Sequence, residues 1–156
     1  MTKSSGGPYV MLAALCEQAI VAQDGRISVI NVIEQVTHGR AGPDVPDEMP
    51  PFTFQIKAVV ELVGGSATGR FSVKLRPESP SGLQLPAQDH PVRFGEGSGV
   101  RLMGDLQLEL TEEGRYWIDV ILDKGRGETR DEELLTRMPL NVVYQPQRTT
   151  PGPGTQ

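Results

Sequence analysis

The sequence predicts an all-β fold, an antiparallel two-layer β-sandwich of about eight strands. Two patterns lead there. Apolar and polar residues alternate with a period of two through several segments, most clearly 52–62, 100–110 and 115–123. That period turns one set of side chains toward a shared interior. Between such segments stand glycine and proline, 18 and 13 of the 156 residues, spaced as turns rather than gathered in one tract. With 37% hydrophobic and 22% charged residues, the chain has the composition of one soluble domain that buries a core without covalent staples. A closed barrel satisfies the same pattern and stays open as the alternative.

Residues 1–8, MTKSSGGP, are small and polar, and are expected to be a flexible lead. The run 9–22 is ambiguous. Leu12, Leu15, Cys16, Ala19 and Ile20 fall at helical spacing. Yet Asp24-Gly25 is a hairpin signal, and a hairpin needs an incoming strand, so strand is preferred. Ile27 to Val36 is β-branched and extended. Its parity changes near Asn31: Ile27 and Val29 share one face, Ile30, Val32 and Val36 the other. Either both faces are buried or a bulge shifts the register. Residues 39–51, GRAGPDVPDEMPP, hold glycine and proline enough to exclude regular structure and are expected to form a long loop.

Phe52, Phe54, Ile56, Ala58, Val60 and Leu62 alternate with Thr53, Gln55, Lys57, Val59 and Glu61 in the cleanest strand. Gly64-Gly65 is expected to close a hairpin into 67–76, where Phe71, Val73 and Leu75 face in and Arg70, Ser72, Lys74 and Arg76 face out. PESPSG, 77–82, is a turn; 83–86 and 90–94 are short extended pieces; Gly95 to Gly99 is a link. The strand over 100–110 is expected to pair with 115–123 across Thr111 to Gly114. The lead-in Glu112-Glu113-Gly114-Arg115-Tyr116 resembles the tyrosine corner of immunoglobulin-like sandwiches, in which a tyrosine near a strand's start bonds back to upstream backbone. This corner, with Gly114 and Tyr116 as its structural residues, favours an immunoglobulin-like sandwich over a barrel. A charged hairpin loop, KGRGETRDEE, leads to a closing strand with Met138, Leu140, Val142 and Tyr144, in which Pro139 marks an edge or a bulge. The domain is expected to span 9–144, and 145–156 to be a disordered tail.

Laid out whole, residues 9–144 resemble an uncharacterised family of small all-β bacterial proteins. The resemblance rests on LCEQAIVAQDGRISVINVIEQV, on PFTFQIKAVVEL after a proline-containing loop, and on EEGRYWIDVILD. It implies strands within 9–22 and brings no activity and no catalytic residue. The motifs are structural, and a shared fold does not assign a function.

The net charge is −5, and the acidic excess lies wholly in residues 77–156. An acidic chain is a poor match to phosphate backbones, so no nucleic-acid partner is expected. The apolar run near the N-terminus is too short for a membrane span and lacks a signal-peptide cleavage pattern. A single cysteine, Cys16, forms no internal disulfide and suits a reducing compartment. Cytoplasmic location is therefore expected, with no cofactor and no metal.

Each chemical candidate has a plain structural counterpart. His38 and His90 are too few and too separated for a zinc site and are expected at loop edges. Cys16 sits in an apolar run, as a small buried hydrophobe does. Gly95, Gly97 and Gly99 share only their spacing with a phosphate cradle. Asp44, Asp47 and Glu48, and Asp131, Glu132 and Glu133, are loop acids of the kind that bind calcium on sandwich loops, or that are simply solvated. Arg70, Lys74 and Arg76 form a candidate basic face. Val59, Met103, Trp117 and Ile121 stand on nominally outward faces and, if joined, would form an apolar partner surface. The sequence therefore predicts no enzyme. It predicts a non-enzymatic protein-interaction or assembly domain that binds a protein partner or itself. The alternative is a ligand-binding module for carbohydrate or lipid headgroup, calcium-assisted or not, using loops at one end of the sandwich.

Overall fold

The computed structural model describes residues 6–125 and 128–148. They form nine strands and no helix: β1 (Tyr9–Val21), β2 (Ile27–Val32), β3 (Gln35–Gly42), β4 (Phe52–Val63), β5 (Gly69–Glu78), β6 (Gln88–Phe94), β7 (Gly99–Leu110), β8 (Gly114–Asp123) and β9 (Glu132–Arg148). One sheet has the order β2-β1-β4-β7 and the other β3-β9-β8-β5-β6, a sandwich-like arrangement. Period-two burial gives the two sheets a shared core. Leu15, Val60, Leu62, Leu106 and Leu108 of the first sheet share one core with Val73, Leu75, Ile118, Leu122 and Leu140 of the second.

The run 9–22 is strand through Val21, as the hairpin signal required. Gly25, at φ +86°, donates to the Ala22 carbonyl at 2.9 Å, and the Asp24 carboxylate accepts from the Arg26 amide at 3.1 Å. The left-handed position suits glycine, and the aspartate occupies a donor the turn leaves open.

Two expected hairpins are corrected. β4 and β5 belong to different sheets, as do β7 and β8. β4 pairs with β1 and β7, while β5 pairs with β6 and β8. The Gly64-Gly65 turn and the Thr111–Glu113 segment are thus crossings between the two sheets. At Gly64 a Cβ would stand 2.5 Å from the Ser98 carbonyl oxygen, so the close crossing there requires glycine. Alternation shows which face of a strand is buried; it does not show which strand lies beside it.

Ile27 to Val36 is two strands rather than one. Asn31 takes φ +53°, and the chain leaves the first sheet at Ile33-Glu34 to enter the second as β3. β2 is largely exposed, so burial on both faces is excluded. The expected loop at 39–51 begins only after Gly42, and the expected tail is strand through Arg148. These two corrections have one cause: β3 runs parallel to β9 from Gln35↔Asn141 to Gly42↔Arg148. Backbone bonds in that ladder hold glycines that side-chain packing would not. Pro139 sits where β9 has β8 on one side and β3 has not yet begun, so its missing N–H costs no ladder bond there. Gly6 is not loose: its carbonyl accepts from the Ser66 amide at 2.7 Å. Residues 1–5 and 149–156 of the expected lead and tail lie outside the described residues.

Tyr116 forms the expected corner. It is fully buried, and its hydroxyl accepts from the amides of Thr111 at 3.0 Å and Glu112 at 3.2 Å. Gly114, at φ +126°, lies against Pro80, where a Cβ would approach to 2.9 Å.

Candidate interaction surface on the four-stranded sheet

The four residues expected to form one apolar patch do not meet. Val59 and Met103 are cross-strand partners in the first sheet, whereas Trp117 and Ile121 lie on β8 in the second. Val59 is fully buried, and Ile121 is 4% exposed between Lys74 of β5 and Leu134 of β9. Both are filled in by neighbours on their own sheet. Only Met103 and the half-buried Trp117 reach solvent.

Trp117 lies in a charged ladder. The guanidinium carbons of Arg137 and Arg115 sit 4.7 and 5.6 Å from its ring centre, within cation–π range. Arg137 also pairs with Asp119 at 2.6 Å and with Glu78. Further along, Lys74 meets Asp123 at 3.1 Å and Glu132 at 3.4 Å, and Arg76 meets Glu132 at 3.0 Å. The expected basic face is therefore already neutralised at Lys74 and Arg76. Arg70 is exposed, with Arg93 as its cross-strand partner. The amides of Gly125 and Asp131, and then Lys74, hold the Asp123 carboxyl below its ordinary value; Arg76, then Lys74, does the same for Glu132. Asp123 and Glu132 in turn hold the Lys74 ammonium above its own.

The remaining candidates have structural roles. His38 is in β3, stacked on Phe52 with ring centres 4.1 Å apart, and His90 is in β6, so neither is at a loop edge. Cys16 is buried, and that burial pushes its thiol pKa up, against smaller opposing effects of Lys57 and the Gln18 amide. Asp47 pairs with Arg148, and Glu133 with Lys124 at 3.1 Å. Among the described residues no three His, Cys, Asp or Glu side chains form a metal-sized group. The loop acids at 44–48 and 131–133 thus do not gather into such a group. Gly95 closes a turn, its carbonyl accepting from the Ser98 amide at 3.1 Å.

Exposed apolar side chains gather elsewhere. β1 pairs with β4 from Tyr9↔Val63 to Cys16↔Lys57. Beyond that point β1 continues with β2 alone, as a two-stranded ribbon from Cys16↔Val32 to Val21↔Ile27. Where the ribbon leaves β4 there is an open notch of about 480 Å³, lined by Cys16, Glu17, Ile33, Phe54, Gln55 and Lys57 among others. Of nine large hydrophobic residues exposed among the described residues, seven are on this sheet: Tyr9, Met11, Ile20, Val21, Ile30, Val32 and Met103. Val32 is 57% exposed and Ile20 45%. The change of parity at Asn31 was the sequence signal for this ribbon. It revealed apolar residues on both faces, and only the structure shows that both lack cover.

A smaller cavity of about 160 Å³ opens at the seam between β6 and β7. Gln88, His90 and Arg101 line it above Ala58, Val60 and Leu75. Arg101 pairs with Glu61 at 3.0 Å, while its Nε is buried without a hydrogen-bond partner.

A scan against protein-family models finds no match, and a search of curated proteins finds no similar sequence. Among the described residues no helix is long and apolar enough to cross a membrane.

Proposed function

We propose that this protein is a non-enzymatic interaction or assembly domain that binds through its four-stranded sheet and the β1–β2 ribbon. The observation that carries this is the two-stranded ribbon beyond β4, on which Ile20, Val21, Ile30 and Val32 are all exposed. Apolar surface left in water is costly, and contiguous patches of it mark contact surfaces. The opposite sheet differs: its outward charges are tied to one another by the ladder around Trp117. An immunoglobulin-like scaffold is part of the proposal. It is supported by the Tyr116 corner, by the two-sheet strand order, and by the crossing from β7 of one sheet to β8 of the other. The test is concentration-dependent light scattering of the wild type beside Ile20→Ser/Val32→Ser. Association in the wild type that weakens at least about tenfold in the variant supports the reading; equal association moves the contact off this sheet.

The ligand-binding alternative has one observation in its favour, the seam cavity with the unpartnered Arg101 Nε. A buried donor without an acceptor is where a small anion or a water belongs. Calorimetry with acetate and inorganic phosphate decides it, since no heat from either ends this reading.

A further inference from the structure

β4 is an inner strand for most of its length and an edge at its start. It pairs with β7 from Phe52↔Leu110 onward, but with β1 only from Lys57, where Cys16 is its partner. Among the described residues no strand pairs with that side of β4 between Phe52 and Ile56. The open notch lies there, between β4 and the departing ribbon.

The hydrogen-bonding phase of this open stretch is fixed from both ends. Gly64 donates to the Ser98 carbonyl at 3.0 Å, and the β4–β7 register continues from Val63↔Gly99 to Phe52↔Leu110 without a shift. In an antiparallel ladder bonded residues recur at every second position, so Ile56, Phe54 and Phe52 bond to β7. Thr53 and Gln55 therefore turn their amides and carbonyls away from β7, into the notch. The β1 side agrees: Leu15 gives its carbonyl to Ile33, which leaves Cys16 to bond Lys57, two positions from Gln55.

We propose that the notch receives an extended, uncharged segment of a partner protein, which adds to β4 antiparallel along Thr53 to Gln55. The inference rests on the assembly reading above and names the kind of partner. Open main-chain donors and acceptors at strand spacing are matched by the main chain of another strand, and such edges template its addition. The neighbouring side chains set what that strand carries. Lys57 is answered by Asp105 at 3.5 Å, and Glu17 accepts from the Asn31 side-chain amide at 2.7 Å, so the charges at the notch call for no counter-ion. Thr53 and Gln55 are exposed on the outer face, while Phe54 and Ile33, both packed on the core, are only partly buried. With a period of two, the residues opposite Thr53 and Gln55 face water and the one between them faces inward. A polar-apolar-polar segment therefore covers Phe54 and Ile33 and fills the gap that β1 leaves in the sheet.

Hydrogen exchange followed by NMR tests this on the intact chain. In the free protein the amides of Thr53 and Gln55 are expected to exchange quickly and those of Phe54 and Ile56 slowly. The probe is the capped heptapeptide Ser-Val-Thr-Val-Thr-Val-Ser at millimolar concentration. It is expected to slow exchange at Thr53 and Gln55 at least about tenfold. The same peptide N-methylated at both threonines keeps every side chain and loses two donors, and is expected to protect neither amide. Gln55→Pro removes an open amide and no β7 bond; it is expected to keep the circular-dichroism spectrum and to abolish protection at Thr53. Slow exchange at Thr53 and Gln55 in the free protein overturns the inference, because the edge is then already filled. No protection by the peptide, or equal protection by its N-methylated form, overturns it too. Self-association that Gln55→Pro abolishes gives the notch to a second copy and likewise overturns the partner segment. The assembly reading is judged apart from these outcomes, by the scattering of Ile20→Ser/Val32→Ser.

Discussion

Tyr116 holds the crossing between β7 and β8 with a single oxygen that accepts two backbone amides. Tyr116→Phe keeps the ring in the core and removes that acceptor. The expected cost is about 1–2 kcal/mol, measured as a lower urea midpoint at unchanged slope. Gly114→Ala is expected to cost more, because a side chain there meets both a positive φ and Pro80. Cys16 is expected to resist alkylation in the folded protein and react once urea unfolds it, since burial disfavours its thiolate. At this scale the corner was legible, because a glycine two residues before a tyrosine at a strand's start is a local pattern. The burial of Val59 and Ile121 was not, since neighbours on the adjacent strands, far along the chain, decide how much of an outward side chain stays wet.

Three strands, β5, β8 and β9, are laced across their outer face by Lys74, Asp123, Arg76 and Glu132. Both carboxyls are held below their ordinary values of 3.8 and 4.5. The unfolded chain therefore binds protons first as pH falls. The stabilisation is complete above the ordinary carboxylate range and is lost as pH drops through and below about 4. Lys74 is held above its ordinary 10.5, so its share is present below that pH and fades only above it. The melting temperature is expected to be level between about pH 6 and 9 and to fall on the acid side. Asp123→Asn is expected to lower the plateau and to flatten the acid limb, as followed by thermal melts across pH. Element boundaries were legible where alternation was clean, in β4, β7 and β8. Their partners were not: Gly64-Gly65 and Thr111–Glu113 look like hairpin turns by composition, yet both carry the chain between sheets. β3 was hidden because glycine and proline around residues 39–43 signal loop, while the bonds that hold Gly39 and Gly42 come from β9, far along the chain.

One core, built from both sheets, spans the whole molecule. The two sheets are therefore expected to unfold in a single transition, followed equally by far-ultraviolet circular dichroism and by Trp117 fluorescence. Leu122→Ala, at a fully buried position in the core that both sheets share, is expected to cost about 2–5 kcal/mol and to shift both signals together. The fold class was legible because period-two burial is a property of every strand in it. The uncovered ribbon was not, because an apolar strand in water and an apolar strand in a core are written with the same residues.

The parallel ladder of β3 and β9 has a further consequence, for the order of events during synthesis. Gln35 must find Asn141, roughly a hundred residues later in the chain. β9 is synthesised well after β3, so β3 waits unpaired until that later stretch has emerged, and with it the stretch that leads into β4. Such distant closures make folding slow.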